Sequence, residues 1–282
     1  MKRIIYVAAI LLLSQHTFAQ TDTTRQNEPD TIKVGNFIII KKKGDDNGNE
    51  KSVTVNIDMN KTYKKHRSNI TTNWFIVDLG FANLRDKTVY GSPEANSYLH
   101  DNGNAPFTKA DMDLINGKTS NVNIWIFMQK LNMINHVVNL KYGLGLEMYN
   151  YRYSTDISYN KSPNAFVYRD SVHFSKNKLA TDYITIPLMI NIDPTPDKKR
   201  GFSFSAGISA GYLYNARNKQ ISNERGKQKI KSDFDLNPWR IAYIGEMGLG
   251  PVRVYGSYSI NPLHDHGLVQ YPYAIGLRLS NW

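Results

Sequence analysis

Residues 138–148 read VNLKYGLGLEM, and this stretch decides the fold. In a β-strand successive side chains point to opposite faces, whereas a helix returns to one face every three or four residues. Val138, Leu140, Tyr142, Leu144, Leu146 and Met148 then share one apolar face, and Asn139, Lys141, Gly143, Gly145 and Glu147 share the other. Ile184, Ile186, Leu188, Ile190 and Ile192 alternate in the same way with Thr185, Pro187, Met189 and Asn191. So do Phe202, Phe204, Ala206, Ile208, Ala210 and Tyr212 with Ser203, Ser205, Gly207, Ser209 and Gly211.

Working outward, five further segments repeat the rule less cleanly. Phe75, Val77, Leu79 and Phe81 oppose Asp78 and Gly80; Val122, Ile124, Ile126 and Met128 oppose Asn123 and Gln129, with Trp125 and Phe127 also on the polar side. Ile241, Tyr243, Met247 and Leu249 oppose Arg240, Glu246 and Gly248. Val252, Val254, Tyr258 and Ile260 oppose Arg253, Ser257 and Ser259. Tyr271, Tyr273, Ile275, Leu277 and Leu279 oppose Gly276, Arg278 and Ser280. Each segment has about the ten residues that a tilted strand needs to cross a bilayer. Between them, long gaps (84–120, 152–180, 216–236, 261–269) alternate with short ones (132–136, 193–200, 250–251). An all-β, eight-stranded antiparallel transmembrane barrel over residues 73–282 is expected, closed because an open sheet edge in lipid leaves backbone groups unpaired.

Alternation alone does not tell inside from outside, and a soluble lipocalin-like barrel points its apolar face inward. The polar face here is rich in Gly, Ser and Ala, which suits a cramped interior better than a solvated surface. Tyrosines near strand ends (Tyr149, Tyr151, Tyr153; Tyr271, Tyr273) are read as an interfacial girdle. The expected interior then holds Asp78, Lys141, Glu147, Arg240, Glu246, Arg253 and Arg278. Four positive and three negative charges nearly balance, so pairing into a salt-bridged plug is expected rather than a pore. Gly143, Gly145, Ser205, Gly207 and Ser209 are read as room for the Arg and Lys side chains.

The N-terminus has the layout of a secretory signal peptide over residues 1–19. Lys2 and Arg3 precede the apolar run Ile4–Leu13, and Thr17 and Ala19 precede a cleavage point before Gln20. The apolar run is too short to span a bilayer, and no later segment approaches a helical span. Loss of Lys2 and Arg3 lowers the formal charge from +11 to +9. Cysteine is absent, which excludes disulfides and thiolate chemistry in a chain whose export would permit disulfides. Residues 20–72 are expected to be a periplasmic segment: a polar start, a β-hairpin at about 31–57 and a basic linker with Lys61, Lys64, Lys65 and Arg67. The hairpin is read as strands Thr31–Lys43 and Ser52–Ile57 around Asn47-Gly48. Asp45, Asp46 and Asn47 have the wrong spacing for a calcium loop.

The order of signal peptide, "DTIKVGNFIIIKKK", basic linker and "NWFIVDLGFANL" resembles Bacteroidota outer-membrane β-barrel proteins of the PorT-like group, with "DYITIPLMINI" similar to a strand carrying an "IP" step. The resemblance covers most of the chain after residue 19 and implies a small-barrel architecture like that of OmpA and OmpX. It also implies the outer membrane of a Gram-negative bacterium, with both termini periplasmic. Some members of the wider group take part in protein secretion; the shared motifs are architectural and carry no catalytic residues. Many outer-membrane barrels end in an outward aromatic, whereas Trp282 has the parity of inward Arg278.

Candidate chemistry is sparse. His264-Asp265-His266 is the one compact His/carboxylate group, but two histidines on one strand face lack the third ligand that a metal site needs, and a polar loop is expected. Ser257, Ser259 and His264 are the parts a lipid-modifying barrel enzyme acting on lipopolysaccharide or phospholipid acyl groups would use, without a motif to join them. The third long loop carries Arg217, Lys219, Arg225, Lys227, Lys229 and Lys231, a basic surface suited to lipopolysaccharide phosphate or acidic glycans. A helix over Lys109–Asn116 is expected, capped by Thr108 and stopped by Gly117. The expected function is non-enzymatic: a structural, adhesive or secretion-associated envelope barrel with no cofactor, no metal and no nucleic-acid partner, whose expected partners are outer-membrane lipid, lipopolysaccharide and proteins of the envelope or secretion machinery.

Overall fold

The computed structural model describes residues 30–34, 37–41, 53–57, 68–103, 105–196, 201–249 and 252–280. The chain divides into two units at residues 66/67. The signal-peptide reading, the basic linker up to Arg67 and Trp282 lie outside the described residues.

In the first unit β1 (Asp30–Val34), β2 (Phe37–Lys41) and β3 (Val53–Ile57) form an antiparallel sheet in that order. Thr31–Lys43 is therefore two strands rather than one arm of a hairpin. The pairing of Val34 with Phe37 leaves two residues between β1 and β2, and these are Gly35-Asn36, a two-residue turn signal inside the apolar run.

The second unit is built on β4 (Ile70–Asp86), β6 (Ser120–Ile134), β7 (Val138–Tyr153), β10 (Lys176–Ile192), β11 (Phe202–Ser222), β13 (Trp239–Leu249), β14 (Val252–Ser259) and β15 (Gln270–Leu279). Each of these strands pairs antiparallel with the next, and β15 pairs with β4. Eight strands close into a ring, so no edge is left to satisfy. In β7 burial alternates without a break from Val138 to Tyr153. The outward face of the ring is a continuous exposed band that includes Leu79, Phe81, Ile186, Ile208, Ile275 and Leu277. A patch of that extent is stable against hydrocarbon and not against water.

Two corrections come from local irregularity. Ile126 is an extra residue on β6 relative to β7, where Trp125 faces Gly145 and Phe127 already faces Leu144. The bulge reverses parity beyond it. Met128, expected outside, is fully buried, and Phe127 moves outward to pack against Trp74, the ring centres 5.9 Å apart and the planes tilted. The second concerns Tyr149, Tyr151 and Tyr153, which are buried on the inner face and form no girdle. Tyr271 and Tyr273 do face outward.

Long connections gather at one end of the barrel and tight ones at the other. The first long connection holds α1 (Pro93–Tyr98) and β5 (Leu99–His100); the second holds β8 (Ile157–Tyr159) and β9 (Val167–Arg169). These form a small separate sheet, β5-β9-β8. The expected helix over 109–116 is replaced by two single 3₁₀ turns, Lys109–Met112 and Asn116–Lys118. Between them Leu114 bridges to Tyr153, and the Ile115 N–H donates to the Arg152 carbonyl, drawing the backbone into extended pairing. The helix that does form, α1, is capped by the Ser92 hydroxyl accepting from the Ala95 N–H. Much of the third connection is sheet as well: β11 runs on to Ser222 and folds back through β12 (Gly226–Lys231).

Candidate functional site

Seven charged residues face the barrel interior, all buried: Asp78, Lys141, Glu147, Arg240, Glu246, Arg253 and Arg278. Alternation puts them there, and register brings them together. Arg278 stands opposite Asp78 across the closing seam and donates Nε and Nη2 to its two oxygens at 2.7 Å each. Asp78 also accepts from Trp125 Nε1 at 2.7 Å and Asn123 Nδ2 at 3.1 Å. Arg253 and Arg278 are direct cross-strand partners, a repulsive arrangement by itself. Glu246 lies between them, accepting from Arg253 at 3.4 Å and Arg278 at 2.5 Å, and it also accepts from Lys141 and from Ser205. Arg240 forms its own pair with Glu147 at 2.8 Å, its guanidinium 4.7 Å from the Tyr149 ring centre. Asn191 donates to Ser205, so each of the eight strands places a residue in this hydrogen-bonded layer. Buried charges persist only when paired and hydrogen-bonded, and this layer meets that condition.

Aromatic rings fill the remaining space. The glycines expected to admit Arg and Lys mainly admit other side chains: a Cβ on Gly145 would sit 2.6 Å from the Trp125 ring, and one on Gly143 would sit 3.0 Å from the Met128 side chain. An interior gap of about 20 Å³ beside Trp125, Glu246, Tyr255 and Arg278 has room for about one water.

Above the ionic layer, the mouth is shut by the loops. Tyr98, Tyr149, Tyr151, Tyr153, Tyr159 and Tyr183 join Phe107, Phe234, Leu236, Leu263 and Leu268 in one buried cluster. The four long connections are stitched to one another. The Tyr98 hydroxyl donates to the Phe234 carbonyl at 2.6 Å, and Tyr153 and Tyr159 share a hydrogen bond of 2.6 Å. Arg169 grips Asp111 at 2.7 and 2.9 Å, and Arg225 grips Asp170 at 2.8 and 3.0 Å. Those guanidiniums, with neighbouring hydroxyl or backbone donors, hold both carboxyls below the usual range.

His264 belongs to this cap, not to a polar loop. Its ring is fully buried, stacked on Tyr159 and edge-on to Tyr98, and neither ring nitrogen has a hydrogen-bond partner among the described residues. Burial, with His266 nearby, holds its pKa down to about 3. His266 is half exposed, 3.8 Å from Asp235, and Asp265 faces solvent. Among the described residues no group of three His, Cys, Asp or Glu could hold a metal. Ser257 and Ser259 lie on the inner wall: Ser257 contacts Tyr149 and Arg240, and Ser259 donates to the Ile241 carbonyl.

Of the basic residues expected in a loop, Arg217 pairs with Asp182 at 2.5 Å and Arg225 with Asp170. Lys219, Lys227, Lys229 and Lys231 stand on the outward face of the β11–β12 extension. Sequence reasoning missed the cap tyrosines and Tyr255, and it placed Asn123 and Trp125 on the inner side without giving them a part in the ionic layer. Parity was the available signal, since Tyr149, Tyr151 and Tyr153 have the numbering parity of Glu147.

Comparison with curated protein sequences finds no match. The family model described as outer membrane protein beta-barrel domain matches residues 89–265. With that match over more than half of a chain whose strands close into this ring, the chain belongs to the family of outer-membrane β-barrel proteins.

Proposed function

We propose that the protein is a closed, non-enzymatic platform in the bacterial envelope, its folded loop cap facing the outside and its short turns facing the periplasm. The observation that carries this is closure at two levels, an ionic layer inside the barrel and an aromatic cap over its mouth. Such a body offers surfaces rather than a passage or a reaction chamber. The orientation follows the habit of outer-membrane barrels, whose long connections are extracellular and whose chain ends are periplasmic. Residues 20–69 then work on the periplasmic side. The resemblance of "DTIKVGNFIIIKKK" and "DYITIPLMINI" to PorT-like proteins of Bacteroidota supports envelope machinery, including protein secretion, as the setting. A lipid-modifying role is disfavoured because Ser257 is engaged by Tyr149 and Arg240, and His264 is enclosed by aromatic rings.

Crosslinking in native membranes followed by affinity purification and mass spectrometry tests the reading. Envelope proteins should be recovered, and deleting residues 30–57 should remove the periplasmic ones. Protease added to intact cells should cut only in the long connections; cleavage confined to spheroplasts would reverse the orientation.

A further inference from the structure

On the outward face of the barrel wall, just beyond the apolar band, cations line up across four adjacent strands. Arg152 on β7 faces Lys178 on β10, Lys178 faces Lys219 on β11, and Lys219 faces Lys229 on β12. Directly opposed residues have Cβ atoms about 5 Å apart, so this is one continuous row. Lys176 and Lys227 flank it on one side, and Arg217 and Lys231 on the other. Neighbouring positions Tyr153, Asn177 and Asn218 are buried, which fixes the row on the outer surface.

The row is not a salt-bridge lattice. Arg217 has Asp182 and Lys178 donates to Asn150, but among the described residues no carboxylate forms an ion pair with Lys176, Lys219, Lys227, Lys229 or Lys231. Like charges opposite one another cost stability, so a surface built this way is relieved by an anion. Lys219, on the overhang beyond the band, has its pKa lowered chiefly by Lys176 and Lys227. Just below the row, Tyr212 and Tyr214 are exposed, and Tyr212 packs on Trp239 at 5.1 Å. Amphipathic aromatics mark the level of lipid headgroups.

We propose that this row binds the phosphates of a phosphorylated glycolipid whose acyl chains lie along the apolar band beneath it. The row and the band share one wall, so a single lipid satisfies both. Lysine suits the task as a mobile point charge for phosphate. The proposal rests on the outward orientation of the loop end, but its test in micelles does not depend on orientation in the cell.

Full-length protein in a neutral detergent is titrated with bisphosphorylated lipid A, with the same lipid dephosphorylated, and with inorganic phosphate as competitor. Lys176→Gln/Lys219→Gln/Lys229→Gln should weaken lipid A binding at least about tenfold, and dephosphorylation should do the same to the unaltered protein. Millimolar inorganic phosphate should not displace the lipid. Circular dichroism and heat-modifiable gel mobility show that the variant remains a folded barrel, and Lys229→Arg should retain binding. Undiminished binding by the triple variant, equal binding of dephosphorylated lipid, or displacement by free phosphate would overturn the site. Equal affinity for a soluble acidic polysaccharide would assign the row to a glycan and overturn the lipid reading.

Discussion

Arg278 and Asp78 lie 200 residues apart and directly opposite one another, joined by two hydrogen bonds of 2.7 Å across the seam where the last strand meets the first. The pair fixes the register of closure, because a slip of one residue would turn one of the two charges toward lipid and leave the other buried without it. Asp78→Ala should cost about 3–5 kcal/mol by leaving a buried guanidinium short of its partner. Arg278→Ala should cost a similar amount, and the double variant should fall short of the sum by more than about 1 kcal/mol. Urea unfolding in phosphatidylcholine vesicles measures all three; additive losses would mean that the seam pair is not energetically coupled.

Leu188 faces outward in the middle of β10, while its neighbour Met189 packs inside on Trp125 and Met128. Leu188→Arg should destabilise the barrel in lipid by about 2–4 kcal/mol, the cost of a charge near the bilayer midplane. The same substitution should be close to neutral in detergent, where the head can reach water. An equal loss in both media would contradict the assignment of faces.

The sequence made the strands legible wherever alternation ran unbroken, as along Val138–Tyr153. It failed at Met128 because one extra residue, Ile126, resets parity without leaving a compositional mark. Tyr149, Tyr151 and Tyr153 obey alternation, yet a cluster of tyrosines near a strand end also fits a lipid interface. Contact with Tyr159, Tyr183 and Phe234 makes them a cap core, and those contacts join segments far apart in the chain. The hidden helix over 93–98 and the missing one at 109–116 have a similar cause. Thr108 and Asp111 form a capping box, but pairing with Arg152 and Tyr153 pulls the next residues straight. The seven interior charges could be placed on the inner face from parity. Their partners could not, because pairing depends on strand stagger around the ring.

Gly267 has φ +78° and packs so closely on Tyr98 that a Cβ would lie 2.3 Å from the tyrosine Cβ. Gly267→Ala should loosen the cap on both counts while leaving the barrel closed. Limited proteolysis should cut the long connections of the variant at least about tenfold faster, with heat-modifiable mobility of the barrel unchanged. Unchanged cleavage would mean that the loops do not depend on this contact.

The cap should also respond to acid. His264 is held near 3, below the unfolded value of about 6.5, so unfolded or open cap takes up more protons. Its neutral packing is fully effective above pH 6.5 and weakens as pH falls toward 3. At pH 4 the loss from His264 alone should reach about 3 kcal/mol. The opening equilibrium of residues 98–100 and 263–268, read from hydrogen exchange corrected for its pH-dependent chemical rate, should rise as pH falls from 6.5 to 4, and His264→Phe should flatten that rise. His266 and Asp86 also face this ring electrostatically, and persistence of the rise in His264→Phe would assign it to them.

Closure itself is tested most directly by conductance in planar bilayers, with circular dichroism confirming the folded barrel. The ionic layer leaves an interior gap for about one water, and the cap covers the mouth above it. The unaltered protein should therefore give no stepwise current across repeated insertions at either voltage polarity. Reproducible open channels that vanish on Arg240→Ala would show ions passing through this lumen and contradict the closed-barrel account.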